Sequence, residues 1–212
     1  MNLSLPLHLA SASPRRAEIL TQYGISFSRV PNLLYDETLD PSLSLRKGAR
    51  DLAYRKARES AVGVPGLVLS ADTLVIIGDS VLGKPGDLSE AAEMLARLSG
   101  REHDVMTSFC LWDTVAQRGV TRADVTRVRF RELSSQSILD YIQYFPVLDK
   151  AGAYGIQDML TYSQKEKRCI VSANSLISGI SGSYWNVMGL PIELLLRALK
   201  KYVIVPPSNS LR

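Results

Sequence analysis

The chain has 212 residues, 46% hydrophobic and 22% charged, with a formal net charge of +4. That composition is ordinary for a globular protein, and the length suits one domain or two lobes around a cleft. No apolar run reaches the roughly 18 residues of a membrane span, and the first residues lack the basic region and long apolar core of a secretory leader, so no membrane association and a cytoplasmic location are expected.

Residues 5–10 form a short apolar run that predicts a buried strand. Ser11, Ser13, Pro14 and the pair Arg15 and Arg16 follow, predicting a tight turn and a helix over 15–23 that stops at Gly24. Helix starts carry unpaired N–H groups and the positive end of the macrodipole, and two guanidiniums there make a strong phosphate site. The same pattern also fits an ordinary surface helix with solvated arginines. Residues 26–31 predict a second strand, 34–44 a polar loop with Asp36 and Glu37, and 45–61 an amphipathic helix. Residues 67–71 predict a buried strand ending at Asp72. Residues 74–77 and 80–82 predict a hairpin about Gly78-Asp79. Asp87 and Glu90 have the spacing of a capping box and open a helix to Leu98. Two long strands, 103–112 and 120–130, suggest an antiparallel pair. Ser134 caps a helix to about Phe145, residues 151–157 read as an ordered glycine-spaced loop, and 158–181 give no clear pattern. Residues 184–188 suggest a last strand and 191–202 a last helix with Pro at its start. The fold class expected is α/β, a mixed twisted sheet with flanking helices.

Cys110 and Cys169 have no zinc spacing and no disulfide framework, and read as reduced structural thiols. His8 and His103 are too few for a histidine metal cage, and His8, in a predicted strand, reads as packed rather than catalytic. The cations are spread along the chain without a basic tail or a nucleic-acid motif. That favours a phosphorylated small ligand over nucleic acid. P-loop, Gly-x-Gly-x-x-Gly, His-Glu-x-x-His and Gly-x-Ser-x-Gly patterns are all absent.

What remains is a set of charged and polar residues near predicted element ends. Asp72 follows an apolar strand, where a carboxylate can hold a hard cation or deprotonate water, and Thr73 beside it offers a hydroxyl. Asp72 also fits a turn cap. Glu37 or Asp36 could supply a second carboxylate for Mg²⁺, although loop acids are usually just solvated. Lys56 lies on a basic helix face that, taken alone, reads as a solvated stripe. Lys84, between Gly83 and Pro85, sits on a restricted backbone that could aim its amine at a ligand. Gln157 closes a segment with glycines at 152 and 155, and its amide can donate to and accept from a base edge together. Four cations and two acids would balance a triphosphate with its metal, the mixture phosphoryl chemistry needs.

The string Leu9-Ala-Ser-Ala-Ser-Pro-Arg-Arg-Ala-Glu-Ile-Leu20 resembles the opening motif of the Maf family. Later segments agree in order: Asp36-Glu37, Arg55-Lys56-Ala57, Ser70-Ala-Asp72-Thr73, Leu82-Gly-Lys84-Pro85, Leu98-Ser-Gly-Arg-Glu-His-Asp-Val-Met-Thr107, Asp149-Lys-Ala-Gly-Ala-Tyr-Gly-Ile-Gln157 and Gly182-Ser-Tyr-Trp-Asn-Val-Met-Gly-Leu-Pro191. Together they span nearly the whole chain. The resemblance implies a single Maf-like domain over 1–212, with two lobes around a central cleft as in inosine triphosphate pyrophosphatases. It implies a nucleoside triphosphate pyrophosphatase that releases a nucleoside monophosphate and pyrophosphate with a divalent metal, Mg²⁺ or Mn²⁺. Such proteins are often homodimers and were first linked to inhibition of septum formation.

Carried over by position, Asp72 matches the proposed general base. Arg15, Thr73 and Gln157 match specificity positions. Ser11, Arg16, Glu37, Lys56 and Lys84 match the remaining polar residues of the cleft, with Glu37 and Asp72 near the metal. The segment ending at Gln157 looks like the branch that prefers dTTP and UTP; the branch acting on 7-methyl-GTP differs there. The chain departs from the family pattern in a stretch about a dozen residues longer between Gln157 and Gly182, in Thr107-Ser108 where Thr-Gly is usual, and in Phe145-Pro-Val where a glycine-containing turn is usual. The alternatives are a non-catalytic nucleotide-binding regulator of cell division, and the same chemistry on 7-methyl-GTP or non-canonical purine nucleotides.

Overall fold

The computed structural model describes residues 1–158 and 176–204. Its helices and strands follow in the order β1 (Leu7–Ala10), α1 (Pro14–Gln22), β2 (Ser28–Val30), α2 (Leu45–Glu59), β3 (Leu67–Ile77), β4 (Ser80–Leu82), α3 (Leu88–Leu98), β5 (Glu102–Asp113), β6 (Arg118–Phe130), α4 (Ser135–Tyr144), β7 (Ile177–Ser181), α5 (Tyr184–Met188) and α6 (Ile192–Leu199). The strands form one sheet in the order β2-β1-β3-β5-β6-β7, with β4 on β3. β1 runs parallel to β2 and β3, whereas β4 and β7 run antiparallel to β3 and β6. The sheet is mixed and flanked by helices, as the sequence predicts.

The chain divides into two compact units. The first holds Met1–Ala71, Ser108–Arg122 and the described residues from Ile192 on. Here α2 lays Ala53 and Ala57, one turn apart, against Val68, with Ala10, Cys110 and Trp112 completing the cluster. Small side chains let the helix come close to the sheet, and Ser70 on β3 donates to the Ala53 carbonyl at 2.5 Å. Burial pushes the Cys110 thiol up to about 12, so it is an inert core residue. Cys169 lies outside the described residues. His8 is half-buried on β1 and bonds to Ser28 Oγ and the Pro65 carbonyl, a structural role.

The second unit holds Asp72–Thr107 and Ala123–Pro191. α3 packs on α4 there. Asp87 accepts the Glu90 N–H at 2.8 Å, while Glu90 Oε2 takes the Gly86 N–H at 2.6 Å. This is the expected capping pair with its return bond moved one residue toward the N-terminus.

Three expectations need correction. β3 is one strand of 11 residues, so Asp72 does not end a strand; it sits within it. Leu67–Ala71 are buried, and from Asp72 on most side chains are only half-buried, so a polar pair is tolerated without breaking the strand. Residues 184–188 form a helix, not a strand. Ser183 caps it by accepting the Asn186 N–H, and Gly189 ends it with φ of 118°. A five-residue segment does not carry enough periodicity to separate the two. Finally, part of the unread stretch forms β7; residues 159–175 lie outside the described residues. Among the described residues no helix is long and apolar enough to cross a membrane.

Candidate active site

In the first unit, the chain leaves β1 and enters α1 with Pro14 in the first turn and no acidic residue there. Ser13 stands at the N-cap without a side-chain cap bond. Its N–H instead donates to Ser11 Oγ at 3.2 Å, and the same oxygen accepts Arg16 Nη1 at 2.9 Å. Ser11 is buried while Arg15 and Arg16 are half-buried. The arrangement therefore holds a guanidinium at a helix start whose dipole has the same sign, which favours an anion.

Glu37 lies on the polar loop before α2. Its Oε1 accepts Asn32 Nδ2 at 2.6 Å and its Oε2 pairs with Lys56 Nζ at 2.8 Å. The Lys56 side chain is 7% exposed and that of Glu37 50% exposed. The lysine is thus a buried cation aimed at a carboxylate, not a member of a solvated stripe. Asp36 has a different task. It accepts the Thr38 N–H at 2.9 Å, and hydrogen bonding from Thr38 holds its carboxyl below the ordinary range. Arg55 secures the loop: Nη1 donates to the Asp36 carbonyl at 3.0 Å, Nη2 to the Thr38 carbonyl at 2.7 Å, and Nε to Asp51 at 2.8 Å. The fork grips the backbone on both sides of Glu37.

In the second unit, Asp72 and Thr73 are half-buried on β3. Thr73 Oγ1 lies 3.0 Å from Thr107 Oγ1, which donates to the Asn186 carbonyl at 2.8 Å. One hydroxyl has one proton, so Thr73 is the donor to Thr107. Asn186 is fully buried, and its amide accepts the Thr107 N–H and donates to the Val105 carbonyl and Thr126 Oγ1. Lys84 is exposed on the strap after β4, next to a Gly83 carbonyl that accepts the Gly152 N–H at 3.0 Å. Gly152 has φ of 68° and lies on Val75, where a Cβ would come within 3.0 Å of the valine. Gln157 is half-buried at the end of this segment.

Within the first unit the fold thus joins Ser11 to Arg16 and Glu37 to Lys56. Within the second it ties Thr73 to Asn186 and links the Lys84 strap to the segment that ends at Gln157. Among the described residues no three His, Cys, Asp or Glu side chains gather as a metal cage.

The family model described as Maf-like protein matches residues 6–202. The chain belongs to the Maf family. It is 39% identical over 198 residues to a dTTP/UTP pyrophosphatase of Clostridium perfringens, covering 92% of this chain and 96% of that protein. It is 40% identical over 202 residues to a dTTP/UTP pyrophosphatase of Acetivibrio thermocellus, covering 92% and 94%. A solved nucleoside-triphosphatase / dITP/XTP pyrophosphatase from Mycobacterium abscessus is similar at 18% identity with a TM-score of 0.40, over 61% of this chain and 74% of that one.

In this Maf chain, sequence reading passed over Arg55, Thr107 and Asn186. The Asp51-to-Arg55 spacing signals an i,i+4 pair, but nothing in it signals a grip on the Glu37 loop. His103 on β5, weighed in the sequence only as a metal ligand, has Nε2 2.7 Å from Tyr154 Oη and an Nδ1 buried without a hydrogen-bond partner. Burial, opposed only by the Asp104 charge, lowers His103 from 6.5 to about 4. The unfolded chain therefore takes up this proton below pH 6.5 and the folded chain only near pH 4. Its contribution is complete above pH 6.5 and is lost as pH falls toward 4, by about 1.4 kcal/mol per unit. Thermal unfolding followed between these pH values should fall less steeply in His103→Gln than in the parent. Parallel curves would contradict the assignment.

Proposed function

We propose that this chain hydrolyses dTTP and UTP to the nucleoside monophosphate and pyrophosphate. The observation that carries this reading is its 39–40% identity, across nearly its full length, to proteins named dTTP/UTP pyrophosphatase. The charge pattern supports it: two arginines at a helix start and a buried lysine on a carboxylate suit a polyanion that reacts with water.

Water attacks the α-phosphorus in line, the bond to the bridging oxygen breaks, and pyrophosphate leaves. Asp72 takes the proton from the water. Arg15, Arg16, Lys56 and Lys84 bind the phosphates and meet the charge that builds up in the transition state. Ser11 orients Arg16, and Thr73 and Gln157 select the base.

Glu37 and Asp72 are the carboxylates assigned to a hard divalent cation, which takes oxygen ligands. Glu37 offers a carboxylate that bonds Asn32 and Lys56, and Mg²⁺ is commonly held by one or two carboxylates with substrate phosphates completing its shell. Bound there, Mg²⁺ or Mn²⁺ would neutralise phosphate charge and acidify water.

The test is turnover of dTTP, UTP, CTP, purine triphosphates and 7-methyl-GTP by the purified protein with Mg²⁺ or Mn²⁺. Pyrophosphate with dTMP or UMP as the fastest products is the expected result. Faster turnover of a purine nucleotide would overturn the pyrimidine assignment. Nucleotide binding without turnover would make the chain a regulator.

A further inference from the structure

The loop that carries Glu37 has no apolar anchor. Between Asn32 and Asp40 no side chain is buried, and Leu33 and Tyr35 are exposed. The hydrophobic effect therefore does little to fix its place. α2 and its C-cap supply hydrogen bonds that do. Ser60 Oγ accepts the Leu33 N–H at 3.2 Å. Arg55 donates to the carbonyls of Asp36 and Thr38, at 3.0 Å and 2.7 Å, so one guanidinium holds the chain on both sides of Glu37. Lys56, the next residue, pairs with Glu37 Oε2 at 2.8 Å. Asn32 adds a second contact to the carboxylate: its Oδ1 accepts the Leu34 N–H at 3.3 Å, which leaves Nδ2 to donate to Glu37 Oε1 at 2.6 Å.

The fork of Arg55 has a firm base. α2 packs Ala53 and Ala57 into the core cluster with Val68. Arg55 Nε bonds Asp51, one turn back, at 2.8 Å, which sets the plane of the guanidinium. Half-exposed pairs of this kind add little stability. This one leaves Nη1 and Nη2 aimed at two carbonyls, in the flat and spaced arrangement that only arginine has. The carboxylate so held is half open, with the Glu37 side chain 50% exposed against 7% for Lys56. It is supported by its partners and still accessible to a ligand.

We propose that Arg55 is a positioning residue of the reaction: it holds the Glu37 carboxylate in the place from which it serves hydrolysis of the nucleotide. The inference rests on the role given to Glu37 above. In this role Arg55 acts through the backbone of residues 36–38, not through the ligand. Catalytic geometry tolerates little slack, since a shift of about 1 Å in a group can cost ~10²-fold in rate. A loop without buried side chains has no other strong means of holding that tolerance.

Arg55→Lys tests this. Lysine keeps the charge that Asp51 meets and a high helix propensity, but a single ammonium cannot reproduce the planar fork. The variant should fold, with a melting temperature near that of the parent. Hydrogen exchange over residues 33–39 should speed up, the sign of a released loop. kcat/KM for UTP with Mg²⁺ should fall ~10-fold or more. The deciding readout is a double-mutant cycle with Glu37→Gln. A residue that acts through Glu37 loses its effect once that carboxylate is gone, so Arg55→Lys should change kcat/KM by less than about 2-fold in the Glu37→Gln background. An equal loss in both backgrounds would overturn the proposal and leave Arg55 a structural staple. Arg55→Ala, which removes every bond of the fork, is the second variant, and parental kcat/KM in it would also overturn the proposal. If Glu37→Gln alone turns over UTP as the parent does, the Glu37 reading fails and the positioning role falls with it. If the parent hydrolyses neither UTP nor dTTP, the activity reading fails, and the same cycle run on affinity for UTP with Mg²⁺ decides the role of Arg55.

Discussion

Asp72→Asn is expected to lower UTP turnover by at least ~10²-fold, the scale of a lost general base, with little change in melting temperature. The side chain is half-buried in the middle of β3, where asparagine has the same shape and strand geometry is set by the buried run Leu67–Ala71 on one side and Val75 on the other. The neighbouring Thr73 remains tied to Thr107. The substitution thus removes a charge and a proton acceptor while leaving the scaffold. KM should move less than kcat, because the arginines and lysines assigned to the phosphates are untouched. Turnover near that of the parent in folded protein would contradict the role given to Asp72.

Asn186→Ala should lower stability by about 3 kcal/mol or more. Asn186 is fully buried, and its amide makes three bonds, to the Thr107 N–H, the Val105 carbonyl and Thr126 Oγ1. Alanine takes this partner from two buried main-chain groups and opens a cavity, while the Thr126 hydroxyl keeps its two bonds to Ser183. A lower urea midpoint at unchanged slope is the expected signature. Activity should fall as well, since Thr107 holds Thr73 beside Asp72. A loss of under about 1 kcal/mol would mean that water replaces the amide, and that the network is less demanding than its burial implies.

The parts of this molecule that were legible in its sequence are those that local chemistry decides. Asp87 and Glu90 announced α3, Ser134 announced α4, and the turn from β1 into α1 was visible in Ser11 to Arg16, because caps, prolines and charges act within a few residues. The continuity of β3 through Asp72 was not legible, because a polar pair after an apolar run looks like an end; only the change in burial along the strand explains it. The helix at Tyr184–Met188 was missed for want of length, although Ser183 and Gly189 marked both of its ends. Motif resemblance singled out Glu37 over Asp36, and the fold supplied the reason: Asp36 closes its own turn while Glu37 meets Lys56. Arg55 needed the fold, since its partners on the Glu37 loop are backbone carbonyls brought in by the path of the chain.

In the proposed reaction, water attacks the α-phosphorus of a pyrimidine nucleoside triphosphate. The most direct test runs the UTP assay in water enriched in heavy oxygen and follows the label by mass spectrometry. One labelled oxygen is expected in UMP and none in pyrophosphate. Label in pyrophosphate, or release of orthophosphate with UDP, would place the attack on another phosphorus and contradict it.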